Sequence, residues 1–287
     1  MAYHRPTVLT DALGILAKSN MPILAGGTDV FALETGRELR GDVLDITAIR
    51  QLGGISQDGD GWRIGATTSW SEVANAPLPA AFTALQQAAR EVGSLQIQNS
   101  ATVAGNLCNA SPAADGVPPL LVLNARVEIG SQNGMREMPL AEFITGVRRT
   151  ALQSGEMVTA IHIPSSAVQG ASAFQKLGAR KYLVISICMV AARLTISNGV
   201  VNEAAISVGS CSPVACRMPV LEDALRGQPY DNPAAWQAVL EQQVADLLTP
   251  IDDIRADAGY RSTAAVELIN RTILDAAERG LHDDSAH

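Results

Sequence analysis

TVAGNLCNASPAAD, residues 102–115, holds small residues, two asparagines, a proline and one aspartate, with no lysine, arginine or histidine. Ala104 and Gly105 remove bulk, so that a main chain can come close to a ligand. Thr102, Asn106 and Asn109 offer short neutral hydrogen-bonding groups, and Asp115 can accept from hydroxyls of the kind that ribose and ribityl chains carry. The same residues also suit a helix cap, with SPAAD ordering the turn that follows. Both readings are open on this stretch alone.

A second bare stretch, AGGTD at 25–29, follows the short apolar run MPIL. Gly26 and Gly27 permit backbone angles closed to other residues. Successive N–H groups from Ala25 to Asp29, Thr28 included, can converge on an anion. An acidic chain can hold a pyrophosphate in this way without basic side chains, although a tight turn is the simpler meaning of Gly-Gly after a strand. Two such loops in different parts of the chain can clamp an extended dinucleotide from both sides. The usual nucleotide signatures are missing: no GxGxxG follows the first strand, and GxxxxGK[ST] does not occur.

Composition narrows the field further. At 287 residues, with 47% hydrophobic and 17% charged residues, the chain can bury a large core divided among two or three compact units. A net charge of −8 with no basic cluster argues against nucleic acid as a partner. The N-terminal residues lack a signal-peptide core, and no run of about 18 apolar residues occurs, so a cytoplasmic location without integral membrane contact is expected. Cys108, Cys188, Cys211 and Cys216 are scattered, with no CxxC pair, and encode no metal or iron-sulfur site. They read as reduced thiols.

The pattern divides into three units. Residues 1–53 alternate a helix (TDALGILAKS) with short strands (MPIL and DVLDITAI), as a small α/β unit does. Residues 54–173 use hairpin grammar: ISQDGDGWRIGA as two strands around an Asp/Gly turn, then a helix through AFTALQQAAREVGS that stops near Gly93. Residues 174–287 begin with two strands joined by SNG and continue with helical spacing as far as Glu278, leaving LHDDSAH as a frayed tail. Trp62 and Trp70 suit either the core or a subunit interface.

AGGTD, IGATTSWSEV, TVAGN continuing through NASPAAD, and FITGVRRTALQSGEMVTAIHIP together resemble the FAD-binding medium subunit of the molybdenum hydroxylases, the family of xanthine dehydrogenase and carbon monoxide dehydrogenase. The match runs in order over nearly the whole chain. It implies an α+β fold of the p-cresol methylhydroxylase type, in which two α/β subdomains bind FAD and a C-terminal subdomain of antiparallel strands and helices follows. Carried over residue by residue, Ala25 to Asp29 wrap the pyrophosphate, while Thr102, Ala104, Gly105, Asn106 and Asn109 form the opposing wall. Asp115 bonds polar groups of the cofactor, Leu152 and Val158 pack by the isoalloxazine, and Lys176 and Tyr182 belong to the loop beside the flavin. Lys176 reads equally as a solvated surface lysine and Tyr182 as core.

The resemblance also implies partners: a large molybdopterin-binding subunit and a small subunit with two [2Fe-2S] clusters, arranged as a dimer of heterotrimers, with electrons leaving through the flavin of this chain. Two departures stand out. Ala104 and Gln98 occupy positions where the family usually has glycine and arginine. A required left-handed backbone at Ala104 would cost on the order of 1 kcal/mol. The sequence also admits a self-contained flavin oxidase or reductase of the same fold superfamily and a non-redox scaffold.

Overall fold

The computed structural model describes residues 2–30, 41–59, 61–181 and 183–284. In the first unit β1 (Tyr3–His4), β2 (Ile23–Leu24) and β3 (Val43–Asp45) form a parallel sheet in the order β1-β3-β2. Helix α1 (Leu9–Leu16) turns Ala12, Leu13 and Leu16 toward Leu44, Ile46, Ile49 and Leu52. Met157 joins that cluster from the second unit, so the two share apolar surface.

The middle sheet contains β4 (Ile55–Asp58), β5 (Gly61–Gly65), β6 (Arg126–Ser131) and β7 (Gly134–Pro139). After a small ribbon, β8 (Ile144–Gly146) with β9 (Arg149–Thr150), the chain returns as β10 (Met157–Ile163). The sheet order is β4-β5-β10-β6-β7, antiparallel throughout. The β4–β5 hairpin expected from ISQDGDGWRIGA pairs Ile55 with Ile64 and Asp58 with Gly61, and Gly59 takes the left-handed angles of its turn at φ 56°. Period-two alternation sends Val127, Ile129, Ile161 and Ile163 into the core and leaves Arg126, Glu128 and His162 on the outer face.

On the inner face lie α2 (Trp70–Asn75), α3 (Thr83–Glu91), α4 (Leu95–Ser100), α5 (Val103–Asn109) and α6 (Val117–Val122). Their starts are encoded locally. Ser69 and Glu72 of IGATTSWSEV form a reciprocal capping box, and Ser94 caps α4. Trp70, expected at an interface or in the core, is fully buried, and Trp62 packs edge-on against Phe82 at 5.6 Å between ring centres. Trp70 belongs to the core, and Trp62, half-buried, packs against it.

The third sheet runs antiparallel in the order β11 (Ala171–Leu177), β12 (Cys188–Ser197), β13 (Val200–Gly209) and β14 (Cys216–Arg217). After the short α7 (Leu140–Phe143) of the middle unit come α8 (Pro219–Leu225), α9 (Gln237–Leu247) and α10 (Ala258–Asp284). Helix α10 covers one face of this sheet, and α3 and α6 meet the other through Ala84, Ala88 and Val122 packed on Phe174, Met189, Ala191 and Ala205. Covered on both sides, β12 is buried from Cys188 to Leu194 and is apolar there except for Arg193, whose guanidinium donates to the carbonyls of Val122 and Gln169. Asn198 and Gly199 supply the two left-handed residues of the expected SNG turn.

Two expectations need adjustment. The boundary at 173/174 falls inside β11, whose seven residues all pair with β12. The C-terminal helix continues through Leu281 to Asp284, past the point where a frayed tail was expected.

Candidate functional site

The two small-residue stretches come together. TVAGN is not a loop but the first turn of α5: Thr102 is its N-cap, and its Oγ1 accepts the Gly105 N–H at 3.0 Å. Gly105 therefore has helical angles, and Ala104 is likewise helical, absent from the left-handed positions of the described chain. The penalty anticipated at Ala104 vanishes. The left-handed residue lies at the other end of the helix, where Ala110 closes it at φ 45°.

Ala25 to Asp29 face this helix across a cleft of about 490 Å³. Gly27 turns the loop with φ 71°. Gly26 has a separate reason to be glycine: a Cβ there would stand 2.0 Å from the Ser100 carbonyl oxygen and 2.9 Å from Ala101 Cα. Its bareness lets one loop touch the other. At the mouth Asn109 Nδ2 donates to Asp29 Oδ1 at 2.9 Å, and Arg148 donates to Asn109 Oδ1. Among the described residues no lysine or arginine lines the cleft.

Thr102, Gly105, Asn106 and Asn109 line the side opposite the AGGTD loop, whereas Ala104 points into the core. Trp70, which sequence reasoning placed elsewhere, lines the cleft from below while remaining fully buried. An isolated bridge between Ser69 and Thr102 brings it there, with Trp70 N–H donating to Ala101 O at 3.1 Å and Val103 N–H to Thr68 O at 3.0 Å. The sequence signal was the capping box, which fixes where α2 starts and hence where its first residue points. Cys108 is exposed and also lines the cleft.

A second hollow, of about 390 Å³, continues from the cleft through the shared residues Val92, Ile97, Asn106 and Ala113 and reaches Asp115 and Leu183 to Ile185. Asp115 does not present a free carboxylate to it. Lys176 Nζ donates to Oδ2 at 2.6 Å and Ser186 Oγ to Oδ1 at 2.6 Å, with both charged side chains buried. Burial pushes the Asp115 pKa above the carboxylate range, opposed by the Lys176 charge and by these two bonds. Lys176 is thus a buried partner of Asp115 and not a solvated surface lysine. Leu152 is half-buried against the middle core and Val158 lies inside it on β10; neither lines the cleft or the hollow. Tyr182 lies outside the described residues.

The main-chain N–H groups and short neutral side chains that line the cleft fit FAD. Among the described residues four buried side-chain atoms have no hydrogen-bond partner, and two of them, Trp70 Nε1 and Asn106 Oδ1, belong to residues lining this cleft. Buried polar atoms are ordinarily paired, so two orphans beside one cleft fit a site for a polar ligand.

Residues 1–166 match the family model described as FAD binding domain in molybdopterin dehydrogenase, and residues 172–276 match the CO dehydrogenase flavoprotein C-terminal domain. A nicotinate dehydrogenase FAD-subunit of Eubacterium barkeri is 34% identical over 85% of this chain and 86% of its own length. A xanthine dehydrogenase FAD-binding subunit of Escherichia coli O157:H7 is 30% identical over 96% and 95%. Among solved structures, a chain of carbon monoxide dehydrogenase from Hydrogenophaga pseudoflava superposes with a TM-score of 0.88 at 26% identity, covering 98% of each chain; the medium chain of that enzyme is 26% identical over 94% of this sequence and 95% of its own. The chain, with its two matched domains in order and its α+β fold, belongs to the FAD-binding medium subunits of the molybdenum hydroxylases.

Proposed function

We propose that this chain holds one FAD without a covalent bond, between the AGGTD loop and α5, and serves as the electron exit of a heteromeric molybdenum hydroxylase. The observation that carries the reading is the cleft itself: two bare backbone segments facing each other, with two buried polar atoms unpaired beside them. Ala25 to Asp29 bind the pyrophosphate through main-chain N–H groups, and Thr102, Gly105, Asn106 and Asn109 wall the other side. In this reading the first and middle units hold the cofactor, while the unit that begins with β11 closes the site from the side of Lys176. Asp115, steadied by Lys176 and Ser186, orders the wall of the hollow, and Leu152, Val158 and Tyr182 shape the surroundings of the ring. Bound FAD supplies the ability to collect electrons from iron-sulfur clusters and pass them to an external acceptor. The protein supplies position and the exclusion of water.

The remaining parts of the reaction lie on partners. A small subunit with two [2Fe-2S] clusters feeds this chain, and a large molybdopterin subunit oxidises the substrate, a small molecule of the N-heterocycle, aldehyde or carbon monoxide class. The complex is a cytoplasmic dimer of heterotrimers. Relatives named as FAD-subunits or medium chains support this division of labour. Among the described residues no helix is long and apolar enough to cross a membrane.

The test is to purify the native complex and the chain alone. Substrate added to the complex bleaches the flavin absorbance, while the isolated chain, loaded with FAD, gives no response. Bleaching in the isolated chain would overturn the electron-exit role in favour of a self-contained oxidase. A complex with no flavin would leave a scaffold.

A further inference from the structure

Trp70 and Asn106 meet around Gly116. A Cβ on Gly116 would lie 2.3 Å from Trp70 Cη2 and 3.1 Å from Asn106 Oδ1, so only glycine leaves room for the indole to sit beneath the amide. The indole is fully buried, yet its Nε1 has no partner among the described residues, and neither has Asn106 Oδ1. The other large buried indole shows the ordinary solution: Trp236 Nε1 donates to Asn270 Oδ1 at 3.1 Å. A buried donor left unpaired costs about 1–3 kcal/mol, enough to favour a ligand that pairs it.

The two orphans differ in kind. Indole N–H only donates, and the amide oxygen only accepts. A phosphate oxygen satisfies the first and gives the second nothing. A hydroxyl accepts from one and donates to the other. From this we infer that Trp70 is a cofactor-binding residue, and that its N–H together with Asn106 Oδ1 recognises hydroxyl groups of the bound flavin nucleotide, not its phosphates. The inference rests on the placement of FAD in this cleft. It divides the labour of the site: the AGGTD backbone takes the pyrophosphate, and the floor beneath α5 reads the sugar or ribityl chain. It also gives Gly116 a function, since any side chain there displaces the indole.

The three indole N–H resonances of the full chain, labelled with nitrogen-15 at tryptophan and stripped of flavin, report on this directly. Titration with FAD shifts the Trp70 resonance, assigned by its loss in Trp70→Phe, and leaves that of Trp236 in place. Inorganic pyrophosphate alone moves neither. Trp70→Phe keeps an aromatic ring but removes the donor, and weakens FAD binding by about 3- to 10-fold, the worth of one net hydrogen bond. Should that variant fail to fold, Trp62→Phe and Trp236→Phe assign the other two resonances by loss, and the wild-type titration still decides. FAD that binds without moving the Trp70 resonance overturns the inference and leaves the flavin assignment standing. A shift with pyrophosphate alone overturns the choice of hydroxyl over phosphate. Failure of the stripped chain to bind FAD at all overturns both.

Discussion

Replacing Gly26 by alanine adds one methyl group at the point where the two cofactor loops touch. That methyl would stand 2.0 Å from the Ser100 carbonyl oxygen, 2.7 Å from its carbon and 2.9 Å from Ala101 Cα. All three are backbone atoms. They cannot rotate away as a side chain would, so the AGGTD loop must retreat from the α4–α5 connection. Overpacking of this kind costs about 1–3 kcal/mol. In a chain of this size the loss lowers the melting temperature by roughly 2–10 °C. Retreat of the loop also widens the cleft it borders, so FAD affinity falls together with stability.

Gly105→Ala is the control, since Gly105 lies in the same cleft. Its Cβ would meet only Thr102 Oγ1, at 2.8 Å, and its backbone is helical, where alanine is favoured over glycine by about 1 kcal/mol. The assay is thermal unfolding of the FAD-free chain, paired with FAD titration by fluorescence quenching. The expected order of stability is wild type close to Gly105→Ala, with Gly26→Ala well below both. A Gly26→Ala chain with wild-type melting temperature and FAD affinity would show that the loops do not touch as described.

Four other outcomes are expected. Lys176→Met strands the Asp115 carboxyl in the interior, a change that costs about 3–5 kcal/mol; because burial raises that pKa above its unfolded value, the variant's deficit against wild type is smallest at acid pH and grows as pH rises through the folded pKa, and a deficit in urea midpoint that shrinks toward neutrality would refute this. The Arg136 bond holds the Glu156 pKa low against an opposing effect of burial, so its stabilisation is present above the unfolded pKa of about 4.3 and is lost as pH falls; Arg136→Gln should flatten the acid limb of stability against pH, and superimposed acid limbs would exclude it. With no basic side chain among the described residues that line the cleft, the FAD Kd should change less than about twofold between low and high salt, whereas a steep weakening would reveal ion pairing to the phosphates. Cys108, the one exposed thiol of the four, lines the cleft, but desolvation of its sulfur raises its pKa to about 12, so it should alkylate slowly in the flavin-free chain and more slowly with FAD bound; equal rates with and without FAD would place the cofactor elsewhere.

Much of the fold was legible because its signals are local. Hairpins announce themselves through left-handed residues, and Gly59, Asn198 and Gly199 are where the turns require them. The start of α2 is written in Ser69 and Glu72, which cap each other within four residues of sequence. What stayed hidden depends on contacts distant in the chain. The ends of β11 and β12 are set by pairing across the sheet, so no composition shift marks residue 171. Helix α5 was hard to see because it has only seven residues and a glycine at its third position; its cap, not an apolar period, defines it.

The site was legible in its residues more than in its reasons. Gly26 is small because another loop presses on it, and Gly105 because a helix opens on the cleft; neither is held by the special backbone angles that a glycine first suggests. Gly27 is the member of the set at which φ itself is decisive. The electrostatic expectation changed in the same way. An acidic chain with a buried lysine near a ligand hollow invites the view that the lysine faces the ligand, but Lys176 is committed to Asp115, and among the described residues the cleft lining contributes no cation. An anion held there meets neutral donors fixed in place on the described walls of the cleft. Such donors gain strength from low dielectric and rigid geometry, and rigidity is what the Gly26 contact, the Thr102 cap and the Asn109–Asp29 bond provide. The small residues of AGGTD and TVAGN are thus required twice over: they make the space for a cofactor, and they let the walls lock against each other so that the space has one shape.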